Sequence, residues 1–163
     1  MINQKPFQIS IVLLRLLLAA WIGAAVLYVI TSVAEQTSSN FDSLIRDQLA
    51  TIRFPLYYCF GLAIHVAAVA LAFGVWKTSA PENRRRLLIV FLLVGLSGIL
   101  ITLDYFIIYV PLQDLITPPG QVRSQRFIQL HTLSRRANEV HLTIMLIAAI
   151  VASIPLNVVR SEQ

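Results

Sequence analysis

Residues 87–110 read LLIVFLLVGLSGILITLDYFIIYV, 24 positions with a single charge, Asp104, and no alternation of apolar and polar side chains. An α-helix rises about 1.5 Å per residue, so about 20 apolar residues cross roughly 30 Å of hydrocarbon. No water reaches the backbone there, and only a helix or a closed barrel satisfies every N–H and C=O. A barrel strand would need alternation, so the stretch predicts a transmembrane helix. Working outward, three further stretches read the same way: about Ile9–Ala34, Pro55–Trp76 and Val140–Val159. The 163-residue chain is expected to be one all-α domain, a polytopic membrane protein with four transmembrane helices in an up-down bundle and both termini on one side.

The fourth helix is expected to start well before its apolar part. No breaker lies between about Arg123 and Pro155, which predicts a helix over 123–159, roughly 55 Å long. Residues 140–159 would be its membrane part, and its N-terminal end would project beyond the bilayer. Pro118-Pro119-Gly120 separates it from the third helix. Pro55 suits the first turn of the second helix (55–76), and Pro111 the end of the third (87–110). Glu35–Phe54 reads as a long loop and Lys77–Arg86 as a short one. Small residues (Ala20, Gly23, Ala24, Gly61, Gly95, Gly98, Ala148, Ala152) predict close helix–helix approach.

Composition agrees. The chain is 57% apolar and 13% charged, against roughly 45–50% and about 25% in ordinary soluble domains. A chain this short has too much surface to hide that excess in a core, so lipid must be the solvent for much of it. The net charge of +5 sits in clusters beside apolar runs, which indicates headgroup contact rather than nucleic acid. Lys5, Lys77, Arg84, Arg85, Arg86 and Arg160 fall on the side of the termini. Arg46, Arg53, Arg123, Arg126, Arg135 and Arg136 fall on the other. The tight Arg84–Arg86 group and Lys5 favour cytoplasmic termini, in the cytoplasmic membrane of a bacterium. Single Cys59 excludes an internal disulfide. The first run is too long for a signal peptide and contains Arg15.

The polar residues near the fourth helix carry the chemistry. At about 100° per residue, Phe127, His131, Ser134, Asn138 and His141 share an arc of about 80°. A polar stripe running into a membrane helix needs partners, either a pocket or hydrogen bonds between helices. Asp104 lies inside an apolar run and must be paired or protonated. Arg135, Asn138 and His141 approach from its side and are its expected partners. His65 lies about ten residues into the second helix, roughly 15 Å deep. With His141 at the membrane edge, the two imidazoles would differ by about 10 Å in depth, too far to face each other across one haem. His131 and His141 stand about 15 Å apart along their helix, too far to share a metal. Arg15 reads as a snorkelling charge, and Tyr57, Tyr58 and Trp76 as an interfacial aromatic belt. There is no Walker loop, HExxH, CxxC or Ser-His-Asp arrangement.

The segment Phe127-x-x-x-His131-x-x-Ser134-x-x-x-Asn138 resembles the signature of the DUF4149 / TMEM205-like membrane proteins, where this pattern opens the last helix of a four-helix bundle. Phe54-Pro55-x-Tyr57 is similar to a matching element at the start of the second helix. Trp21, Gly23 and Asp104 fit loosely, while Arg135-Arg136 replaces residues that are usually less charged. The resemblance implies the fold and no molecular activity.

The resulting expectation is a non-enzymatic membrane protein without cofactor or metal. Its cluster of Asp104, His131, Ser134, Arg135, Asn138 and His141 would bind a partner subunit, a lipid headgroup or a small ion, and it would contact membrane lipid and a second copy or another membrane subunit. One alternative is a small dimeric proton-coupled transporter using Asp104. Another is a haem or quinone redox subunit.

Overall fold

The structure, a computed structural model, describes residues 4–156. The expected last turn at 157–159 lies outside the described residues, as do Arg160 and the side chain of Lys5. Among the described residues there is no strand. Four helices follow one another: α1 (Gln4–Thr37), α2 (Ser43–Thr78), α3 (Pro81–Asp114) and α4 (Gln125–Ser153). Each is long and apolar enough to cross a membrane. α1 packs on α2, α2 on α3, α3 on α4 and α4 back on α1, which closes a four-helix bundle.

Its interior is built from residues spaced alternately three and four apart. α1 buries Ile11, Leu14, Leu18, Trp21 and Ala25, and α2 buries Tyr58, Gly61, His65, Ala68, Ala72 and Val75. α3 buries Leu87, Val90, Val94, Ser97, Ile101, Asp104 and Ile108, and α4 His141, Met145, Ala148 and Ala152. That spacing keeps one seam facing its neighbours as helices cross at about 20°. The opposite faces carry Leu16, Leu27, Ile52, Leu56, Val66, Leu92, Phe106 and Ile150, all exposed. In water such a surface would lose the burial gain of about 25 cal/mol per Å²; facing acyl chains it loses nothing.

Several helix boundaries differ from expectation, among them the end of α4, which was expected to run through 159 and stops at Ser153. α2 begins at Ser43, because Asp42 caps it by accepting from the N–H of Ile45 at 2.8 Å and no breaker interrupts 43–54. The expected long loop is thus a turn of residues 38–42, and Pro55 sits inside the helix, where it removes one backbone bond. α3 starts at Pro81, a first-turn proline, so Arg84–Arg86 belong to its first turns rather than to a loop. It also continues through Pro111 to Asp114 by way of a wide π turn over Asp104–Tyr109. There the Val110 N–H reaches five residues back to the Tyr105 carbonyl, which accommodates the proline without ending the helix.

α4 stops at Ser153, two residues before Pro155. One carbonyl left free at its end is taken by Arg15, whose Nε donates to Ala152 O at 2.8 Å, and just beyond the helix Arg86 Nη1 donates to Pro155 O at 3.0 Å. Arg15 therefore caps a neighbouring helix as it reaches toward the termini. At its other end, the N-terminal extension of α4 runs beside the π turn of α3 and shares cavities with the last turns of α1. The connection before α4 is held by Asp47, which is buried, accepts from the Gly120 N–H at 2.8 Å and pairs with Arg123. Gly120 has φ +88°, a left-handed conformation that favours glycine.

The small residues divide in two. Ala148, Ala152 and Gly61 face the seam, whereas Ala20, Gly23 and Gly95 do not lie in it. A Cβ on Gly61 would stand 2.5 Å from Cη2 of Trp21 and 2.8 Å from Cδ1 of Ile101. Nothing lies within 4 Å of one built on Gly95. Gly61→Ala is therefore expected to destabilise the detergent-solubilised protein by about 1–3 kcal/mol, the usual cost of overpacking. Gly95→Ala should leave its thermal unfolding midpoint unchanged or slightly raised.

Candidate functional site

Because α2 starts at Ser43, Tyr57 and Tyr58 lie in mid-helix and point into the bundle instead of forming an interfacial belt. Tyr58 follows the seam and donates its hydroxyl to Asp104 Oδ2 at 2.6 Å. Ser134 of α4 donates to the same oxygen at 3.3 Å. Asp104 Oδ1 is buried and meets no donor among the described residues. Asp104 does not pair with Arg135, Asn138 or His141 as expected. Ser134 is the α4 residue level with it, Arg135 is exposed, and Asn138 and His141 lie one and two turns deeper.

Asn138 joins the outer polar groups to the inner ones. Its Oδ1 accepts from Tyr57 OH at 2.7 Å and lies 2.9 Å from His141 Nε2. An amide oxygen only accepts, so Nε2 of His141 carries the proton, and its Nδ1 is a lone pair without a donor among the described residues. One turn deeper, His65 Nδ1 lies 2.7 Å from the Gly61 carbonyl and donates to it. Nε2 of neutral His65 then accepts from the Ser97 hydroxyl at 3.0 Å. That hydroxyl also has the His141 carbonyl in reach, at 3.2 Å, so one proton has two acceptors.

The two imidazoles are not separated in depth. Their ring centroids stand 6.2 Å apart, edge to face. The estimate of 10 Å fails because it took residue 140 as the start of the membrane part of the fourth helix and Pro55 as the first residue of α2, whereas α2 begins 12 residues earlier, at Ser43, and α4 runs unbroken from Gln125. Proximity alone does not make a haem site. Both nitrogens of His65 already have partners, and the Trp21 indole packs against both rings, at 5.5 Å from His65 and 6.0 Å from His141. A macrocycle would require these contacts to open. No group of three or more metal-ligating side chains occurs among the described residues.

Five of the six expected cluster residues line one cavity of about 400 Å³ between α1 and α4: Asp104, His131, Ser134, Arg135 and Asn138. His141 connects to it only through Asn138. Of the residues that carry the resemblance drawn from the sequence, Phe54 and Tyr57 line it too. Phe127 stacks on His131 at 5.7 Å, and Pro55 makes no polar contribution. Residues that the sequence reading did not gather are Tyr58, Tyr109, Tyr28 and Ser97. A signal for Tyr58 and Ser97 existed, since both continue the three-and-four spacing of the apolar seam. A second cavity, of about 310 Å³, adjoins the first and shares Ser32, Phe54, Tyr109 and His131 with it.

Four apolar helices around a buried, hydrogen-bonded polar seam define the class of this chain: an integral membrane protein of the four-helix-bundle type. No family model matches the chain, and neither a curated protein nor a solved structure matches it.

Tyr58 and Cys59 are neighbours in sequence with opposite surroundings, one 2% exposed and bonded to Asp104, the other on the outer face. Tyr58→Phe is expected to lower unfolding stability in detergent by about 0.5–1.5 kcal/mol, the upper part of the range for a hydrogen bond between membrane helices, because the partner is a buried carboxylate. Cys59→Ala should stay within about 0.5 kcal/mol of wild type in the same thermal melt.

Proposed function

We propose that the protein is a non-enzymatic, membrane-embedded binding protein of the DUF4149 / TMEM205-like kind. It holds a small cation, or the ammonium or hydroxyl end of a larger molecule, at Asp104. The observation that carries this reading is the carboxylate itself. Among the described residues Oδ2 has two donors and Oδ1 none, and the group lines a 400 Å³ cavity also lined by Tyr57, Ser134 and Asn138. A buried acceptor without a donor is costly, and a bound cation or donor removes that cost. The cavity lies at the membrane face away from the termini, and the Arg84–Arg86 group favours placing the termini in the cytoplasm of a bacterial cell. The exposed apolar faces contact lipid and leave room for a second copy or another membrane subunit.

The test is the melting temperature of the full chain in neutral detergent with sodium, potassium or ethanolammonium, against the bulky N-methylglucammonium at equal ionic strength. A bound ligand at about 100 times its Kd adds roughly 2.7 kcal/mol of stability. At least one of the three should stabilise wild type and leave Asp104→Asn unmoved. Equal responses of the two proteins would end the Asp104 reading.

One observation favours a second reading, a small dimeric proton-coupled transporter. A proton arriving on His65 Nε2 turns that atom into a donor toward Ser97, whose hydroxyl can then rotate to the His141 carbonyl. His65 can thus hold a second proton with both N–H groups satisfied. Proteoliposomes with a pH gradient and an entrapped pH dye separate the readings. Transport requires a cation-driven pH change that Asp104→Asn and Ser97→Ala both abolish, whereas a binding protein gives none.

A further inference from the structure

The second cavity, of about 310 Å³, lies where the last turns of α1, the first turns of α2 and the connection before α4 meet. Arg46, Arg53 and Arg123 line it. Arg53 pairs with Glu35, and Arg123 with Asp47. Arg46 meets no acid among the described residues; its Nη2 donates to the Ser38 carbonyl at 2.9 Å. Three guanidinium groups thus face two carboxylates, and one positive charge is left over.

The donors are not used up either. Arg46 Nε, Arg53 Nε and Arg123 Nη1 are buried without an acceptor among the described residues, and so is the hydroxyl of Tyr109 on the same wall. An unmade bond on a buried charged donor is among the costlier defects a fold can carry. Three such guanidinium donors and one neutral hydroxyl, all on residues lining one cavity with excess positive charge, suit an anion with several acceptor oxygens. The donors come from α2, α3 and the connection before α4, three sides of the cavity, which suits a tetrahedral oxyanion better than a planar carboxylate. The fork of a guanidinium matches phosphate oxygens in particular.

We propose that this cavity binds a phosphate group, either as free orthophosphate or as the headgroup phosphate of a phospholipid. The site uses none of the Asp104 hydrogen bonds and goes beyond the cation reading. Its neighbour cavity has Val29 and Val33 on its α1 wall, 41% and 56% exposed on a bilayer-facing side, so an acyl chain has an apolar way out.

The experiment titrates the full chain in neutral detergent by calorimetry with three probes: orthophosphate at constant ionic strength, dihexanoyl phosphatidylglycerol and phosphate-free dihexanoylglycerol. Arg46→Gln removes the unpaired charge. Arg53→Lys retains a cation for Glu35 while deleting the Nε–H, and serves if the first variant fails to fold. Arg84→Gln, an exposed arginine at the other end, is the control. The expected result is that orthophosphate, the phospholipid or both bind wild type and Arg84→Gln alike, and bind Arg46→Gln or Arg53→Lys about tenfold more weakly or worse. Binding of orthophosphate identifies the free anion as a ligand, and binding of the phospholipid alone identifies the headgroup. The proposal is overturned if neither phosphate probe binds, if dihexanoylglycerol binds as well as the phospholipid with no orthophosphate binding, or if the cavity variants bind as wild type does.

Discussion

The Trp21 indole fills the space that Gly61 leaves by having no side chain, and most of the interior is arranged around that contact. The ring belongs to α1, the slot to α2, and the ring faces it touches include His65 of α2 and His141 of α4. Tyr57 and Phe60 close the slot on the outer side, at 5.1 and 6.2 Å. In a bilayer, apolar side chains gain nothing by leaving lipid for a neighbouring helix, so shape fit must supply the specificity. A large rigid ring against a glycine supplies it at one place. It also sets the depth at which the two imidazoles face each other.

Hydrogen bonds add a second layer to this packing. Such bonds between membrane helices average only about 0.6 kcal/mol each. The chain from Asp104 through Tyr58 and Ser134, and from Tyr57 through Asn138 to His141, is therefore a weak source of stability for so many buried polar atoms. Its larger effect is on register. A slip of α4 by one turn would leave Asn138 without Tyr57 and Ser134 without Asp104, and unpaired groups in hydrocarbon are disfavoured. Two of its atoms, Asp104 Oδ1 and His141 Nδ1, have no partner among the described residues.

The number of helices and their apolar cores were legible because a membrane leaves few alternatives. The grouping of His131, Ser134 and Asn138 was legible because a helical period places them on one face of α4, and Asp104 and Arg135 were joined to them by lying at the same end of the bundle. What was missed came from reading helix ends by hydropathy. Residues 43–54 and 81–86 carry several charges yet are helical, since caps and the absence of breakers matter more than apolarity once the helix leaves hydrocarbon. Misplacing those starts moved Tyr58 from the interior to a belt and put His65 and His141 at different depths. The arginine cavity was illegible for another reason. It depends on where the α3–α4 connection returns, and Asp47 decides that through a contact with Gly120, 73 positions away.

The π turn of α3 has a geometric consequence. Ile108 and Tyr109 are adjacent in sequence and both are buried, which an ordinary turn disfavours because neighbours diverge by about 100°. The wide turn amounts to one surplus residue carried inside a continuous helix. With it, Ile108 continues the internal seam while Tyr109 swings into the two cavities, and Val110–Asp114 is set about 100° round from where an unbroken helix would leave it. A membrane helix has few ways to point two consecutive side chains inward without exposing its backbone. Here a change of phase does so, and the cavities owe their shared tyrosine wall to a single residue of extra winding.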